Sequence, residues 1–208
     1  MSKNLAQPKK LSTPPAAAIA GIVFSLLLSI SVVLVSLANQ GEIGTPFAKQ
    51  ALLLGLNLIP LAGIAFLWFI GVVRNRIGQN EDRFFATVFL GSGLLFLAML
   101  FATAAIGGSL VASSRPPSDP VITFGRQIML EIMNVYAMKM AATFMISTST
   151  ILLRTVILSR WLAYVGYVFA FVLLVTLTHW EWIILLFPLW ILALSIEILL
   201  ASLRESRG

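Results

Sequence analysis

Four polar side chains interrupt the head of an apolar run at residues 128–153: Glu131, Asn134, Tyr136 and Lys139, in the stretch LEIMNVYAMKM. If residue 128 marks one membrane boundary, Glu131 lies about 5 Å below it and Lys139 about 17 Å below, near the midplane. A lysine at that depth costs about 2.5–3.5 kcal/mol on insertion scales. It is expected to face a partner or a water-filled cavity, or to give up its proton. Such a group could serve the passage of an ion or small solute. A Ser–Lys nucleophile is the enzymatic alternative, but no serine has evident oxyanion support. Glu131 and Lys139 are about 12 Å apart along a straight helix and rotated by about 80°, so they do not neutralise each other directly. Glu131 is expected to reach toward the headgroups or to accept from Gln127. Glu197 is the other acid well inside an apolar run. Its candidate partners are Lys139, Arg154 and water at the nearer membrane face.

Thr143, Ser147, Thr150 and Arg154 follow Lys139 at intervals of four, four, three and four, which puts them on one helix face. Hydroxyls on such a face either bond their own i−4 carbonyls and neighbouring helices or line a wet path. Both alternatives predict that Lys139, Thr143 and Ser147 face the bundle interior. Asn57 and Pro60 form a second irregular spot. Pro60 leaves the Leu56 carbonyl without its helical donor, and Asn57 is a candidate to compensate. Ala98, Ala102, Ala105 and Ser109 form a small-residue face suited to close helix approach, at a subunit contact or within the bundle.

Metal and cofactor chemistry has little to build on. The chain has no cysteine and one histidine, His179, beside Glu181. A lone His-x-Glu falls short of the three protein ligands that catalytic zinc takes. No HExxH, GxSxG or P-loop pattern occurs. The expectation is a protein that is not an enzyme and binds no metal or cofactor.

The elements that must position these residues are membrane helices. The 208 residues are 59% hydrophobic and 11% charged, with a mean hydropathy of +0.98. A soluble domain carries about 25% charged residues. Six apolar segments are predicted as spans, at 16–38, 51–73, 84–112, 128–153, 161–178 and 183–203, in one domain covering 1–208. A span needs about 20 residues, so the fifth is marginal. Asn80, followed by Glu81 and Asp82, is expected to cap the third helix, and Asp119 with Pro120 to start the fourth. That fourth helix would then be long enough to project, tilt or kink. With a cytoplasmic N-terminus, Lys3, Lys9, Lys10, Arg74, Arg76, Arg83, Arg154, Arg160, Arg204 and Arg207 fall inside. Only Lys49, Arg115 and Arg126 fall outside, a bias that places both termini in the cytoplasm. The net charge of +6 is explained by this bias, and nucleic acid is not an expected partner.

The strings RNRIGQNEDRFFATVFLGSGLLFLAML, LSRWLAYVGYVFAFVLLV and LFPLWILALSIEIL resemble a bacterial family of multi-pass membrane proteins filed as a domain of unknown function. The resemblance covers about residues 74–200. It implies a bacterial plasma (inner) membrane location and several spans, and brings no activity, cofactor or catalytic residue. The expected architecture is therefore an all-α, polytopic bundle of six transmembrane helices. The leading expectation for function is a non-enzymatic membrane interaction or assembly protein, a subunit or self-assembling bundle, with lipids and further copies or other membrane subunits as partners. The alternative is a small channel or permease with a polar path along the fourth helix.

Overall fold

Three helices begin at proline. The computed structural model describes residues 14–40, 45–77, 83–113, 115–116, 118–155, 159–176 and 181–205. Helix α1 is Pro14–Gln40, α2 is Pro46–Ile77, α3 is Arg83–Ala112 and α4 is Pro120–Glu131. A proline in the first turn gives up an N–H that has no helical acceptor there. Thr45 caps α2 by accepting from the Ala48 N–H at 3.2 Å. Asp119 caps α4 by accepting from the Val121 N–H at 2.8 Å. The Asn80 cap, His179 and the terminal Lys3, Lys9, Lys10 and Arg207 lie outside the described residues.

Beyond Glu131 the chain continues helically through a π-helical segment, Ile132–Ala137, into α5, Met138–Thr155. The long fourth element is thus one rod with a widened turn in its middle. A π turn makes i→i+5 bonds, so the angle between Glu131 and Lys139 that α-helical spacing gives does not hold across it. Helix α6, Arg160–Val175, follows. A 3-10 segment, Glu181–Leu185, then leads into α7, Leu186–Glu205. Pro188 therefore sits in the first turn of α7, where its missing N–H is least costly.

All described regular structure is helical. Among the described residues, Ala16–Asn39, Pro46–Arg74, Phe84–Ala112, Pro120–Arg154 and Trp182–Arg204 are long and apolar enough to cross a membrane. Helix α6 is apolar but has only 16 residues, about 24 Å against a hydrocarbon core of about 30 Å. The 161–178 expectation overshoots its end because Thr176 turns extended and its hydroxyl bonds back to the Val172 carbonyl at 2.7 Å.

The helices pack in a ring. Helix α1 lies against α2 and α7, α2 against α3, α3 against the α4–α5 rod, and α5 against α6. Helices α6 and α7 are consecutive, but the backbone of α6 runs closest to α5. The centre is aromatic. Phe24, Phe66, Phe96, Phe144 and Phe187, one from each of α1, α2, α3, α5 and α7, are fully buried. Their ring centroids lie 4.5–6.4 Å apart. Such pairs add about 0.5–1.5 kcal/mol each beyond area burial. Helix α6 contributes no ring to this plug and sits at the periphery.

Candidate functional site

Helix α6 is a helix without charges suited to its own dipole. It has no acidic residue in its first turn and no basic residue in its last. Arg160 even places a cation at the N-terminus, the wrong sign for that end. Two residues from other helices supply what is missing. At the N-terminus, Glu197 of α7 accepts from the backbone N–H of Ser159, the N-cap residue, through Oε1 at 2.8 Å. At the C-terminus, Lys139 of α5 donates through Nζ to the Leu174 carbonyl at 3.4 Å. That distance is long for a hydrogen bond, so much of the attraction is between the charge and the helix end.

Lys139 and Glu197 are therefore not partners. The stretch from Ser159 to Leu174 separates the groups they bind by about 22 Å. Lys139 is half-buried, at the level where α6 stops. Arg154 lies with its guanidinium carbon 4.5 Å from the centroid of Phe85, a cation–π contact. Glu131 is exposed and lines a cavity of about 320 Å3 with Gln127, Ile132 and Tyr136. Asn134 stands in the π segment, its Oδ1 buried with no hydrogen-bond partner.

The hydroxyl stripe is satisfied by its own helix. Thr143 donates to the Lys139 carbonyl at 2.9 Å. Ser147 donates to the Thr143 and Phe144 carbonyls at 3.1 and 2.9 Å, and Thr150 to that of Ile146 at 2.8 Å. Ser147 is buried, while Thr143 and Thr150 are half-buried. Thr150 also shares a 2.7 Å bond with the Tyr167 hydroxyl of α6.

Three further contacts clamp α6 and its neighbours, and none of them involves a residue singled out above. The Trp190 indole of α7 donates to the Leu162 carbonyl at 3.0 Å. Gly166 meets Ser149 of α5 and Trp190 of α7 so closely that a Cβ would stand 2.9 Å from the indole. Gly21 of α1 makes a similar approach to Ser195 of α7, with Phe69 close by. A tryptophan and a glycine in apolar helices are weak sequence signals for such junctions. The Ser159 N–H and the Leu174 carbonyl carry no signal at all, because every residue but proline has both groups.

The remaining candidates occupy a different surface. Asn57 is exposed on α2 and bonds through Nδ2 to the Leu53 carbonyl at 2.9 Å, not to that of Leu56. With Leu53, Leu56, Pro60, Phe101, Ala104, Ala105 and Gly108 it lines a groove of about 440 Å3 between α2 and α3. Ala98, Ala105 and Ser109 are exposed and Ala102 is half-buried, so the small-residue face of α3 looks away from the aromatic core.

A scan against protein-family models, a search of curated proteins and a search of solved structures each returned no match.

Proposed function

We propose that this is a bacterial inner-membrane protein with six crossings and both termini in the cytoplasm, belonging to the multi-pass family its sequence resembles. Its role is non-enzymatic assembly: it pairs with a second copy of itself through the α2–α3 groove and the adjoining face of α3. No catalytic residue, metal or cofactor is part of this role.

The observation that carries it is the position of Asn57. It lies 11 residues from Pro46 and 17 from Arg74 within one apolar span, about 16 and 26 Å along the axis. Its side chain is exposed there, and its Oδ1 has no hydrogen-bond partner among the described residues. Lipid offers an amide nothing to bond, whereas a neighbouring helix does. An amide both donates and accepts, so two copies related by a twofold axis along the membrane normal can satisfy each other reciprocally. Ala105 and Gly108 in the groove wall keep the approach close.

A channel or permease along α5 would need a wet interior. The five buried phenylalanines and the self-bonded hydroxyls give it less support than Asn57 gives assembly.

Light scattering of the purified protein in neutral detergent tests the pairing. The expected result is a dimer for the natural chain and a fall in dimer affinity of about 3- to 30-fold for Asn57→Leu, from an interhelical bond of about 0.6–2 kcal/mol. A monomeric natural chain, or an Asn57→Leu and Ala105→Leu pair that dimerise unchanged, would overturn it.

A further inference from the structure

The three cations that charge bias leaves on the outer side all open onto one cavity. Lys49 comes from the first turn of α2, Arg115 from the α3–α4 connection and Arg126 from α4, yet they line the same space of about 310 Å3. Among the described residues, the rest of that lining is apolar apart from Ser113 and includes no acid. The exposed part is cationic, through Lys49 and Arg115, while Met129 in the wall is fully buried.

Cations at this end need a reason of their own, because topological bias depletes them from outer loops. Three like charges facing one space also repel each other. Their partners among the described residues neutralise them only in part. Arg115 pairs with Asp119 at 3.1 Å. Arg126 donates through Nε and Nη2 to Asn39, a neutral group, at 2.7–3.2 Å. Those bonds hold the guanidinium in place, cancel none of its charge, and leave Nη1 without a partner among the described residues. The Lys49 ammonium likewise has no hydrogen bond or ion pair among the described residues.

We propose that this cavity binds the phosphate headgroup of an anionic phospholipid, with the glycerol end of its chains against the apolar wall. The cavity lies where the apolar stretches end, at Asn39, Pro46 and Ala112, which is headgroup level. Phosphate matches a fixed guanidinium with unspent N–H groups. Free inorganic phosphate would have no use for the apolar wall, and a zwitterionic headgroup would bring its own cation into the cluster. The site shares no lining residue with the Asn57 groove and does not depend on self-association.

The test is thermal unfolding of the full chain in neutral detergent, titrated with phosphatidylglycerol, phosphatidylcholine or inorganic phosphate. Each shift is measured from the same variant's lipid-free midpoint. Phosphatidylglycerol is expected to raise Tm saturably, and the other two to leave it in place. In Lys49→Gln and Arg115→Gln the apparent affinity should fall roughly fivefold per charge removed, and about 25-fold in the double variant. Arg74→Gln, at the opposite end, should bind as the natural chain does. A double variant that responds like the natural chain overturns the site. An equal shift with phosphatidylcholine overturns its charge selectivity, and an equal shift with inorganic phosphate replaces the lipid by a free anion.

Discussion

Lys139 and Glu197 hold opposite ends of one helix to which neither belongs. The carboxylate sits at the Ser159 N–H and the ammonium at the Leu174 carbonyl, each with the sign that its end of α6 favours. Each charge thus meets one end of α6 without a pairing between them, and the second carboxylate oxygen of Glu197, Oε2, is buried with no hydrogen-bond partner among the described residues. Helix α6 packs mainly on α5 and buries Leu162, Ala170 and Leu173 in the core, and these polar links add a hold at each of its ends.

Lys139→Leu should therefore loosen the C-terminal end of α6. A charge at a helix end contributes about 0.3–1 kcal/mol when exposed and up to about 2 kcal/mol when partly buried. Tm in detergent should fall accordingly, and amide exchange should quicken at residues 173–176. Unchanged exchange there would show that the ammonium does not hold the helix end.

Glu197→Gln keeps an acceptor for the Ser159 N–H but removes the charge, whereas Glu197→Ala removes both. The expected losses are about 0.3–1 kcal/mol for the first and about 0.5–2 kcal/mol for the second. A Glu197→Gln variant as stable as the natural chain would mean that charge at this end is irrelevant. Equal losses in the two variants would mean that the hydrogen bond adds nothing to the charge.

Gly21→Ala should cost about 1–3 kcal/mol, because its methyl meets the Ser195 hydroxyl and comes within 2.8 Å of the Phe69 ring. Ser195→Ala alone should be near neutral or stabilising, since that buried Oγ has no hydrogen-bond partner. Combined, the two changes should recover part of the loss. Urea unfolding of the four forms measures the coupling, and strict additivity would refute the contact.

Flux of small ions into proteoliposomes should stay at background for both the natural chain and Lys139→Leu. The plug of Phe24, Phe66, Phe96, Phe144 and Phe187 fills the bundle centre with apolar rings. Flux above background that falls in Lys139→Leu would restore the permease alternative.

Acid should weaken the start of α4. The Val121 N–H, with help from Arg115, holds the Asp119 carboxyl below its ordinary value of 3.8. A carboxyl depressed by folding contributes stability that is present above the unfolded value and lost as pH falls through the folded one. Asp119→Asn keeps an acceptor but does not titrate there. The Tm advantage of the natural chain over Asp119→Asn should thus shrink below about pH 3.8 and vanish once the folded carboxyl is protonated. An advantage that does not diminish as pH falls would rule out a charged cap.

Much of the scaffold could be read from residues alone, because apolar length and helix starts are local properties. Uninterrupted apolar runs mark out the long helices, and Asp119 before Pro120 marks a helix start whatever packs around it. The length of the fourth element leaves projection, tilt and kink open, and no local pattern marks the π segment at Ile132–Ala137. Its effect on the facing of Glu131 and Lys139 lay beyond α-helical arithmetic.

What only the tertiary structure decided is which groups share a space. Lys139 and Glu197 are conspicuous in sequence, but their partners are backbone groups at the two ends of a third helix, and backbone is the same at nearly every position. Lys49, Arg115 and Arg126 read as scattered exceptions to a charge bias until the ends of α2, α3 and α4 bring them to one cavity. The spacing of Ala98, Ala102, Ala105 and Ser109 gives a helix face without saying which way it looks. That was settled by the phenylalanines, since the face of α3 that carries Phe89 and Phe96 claims the interior and turns the small residues outward. Sequence sets what each helix can bury, and the competition among helices for one core sets what each leaves exposed.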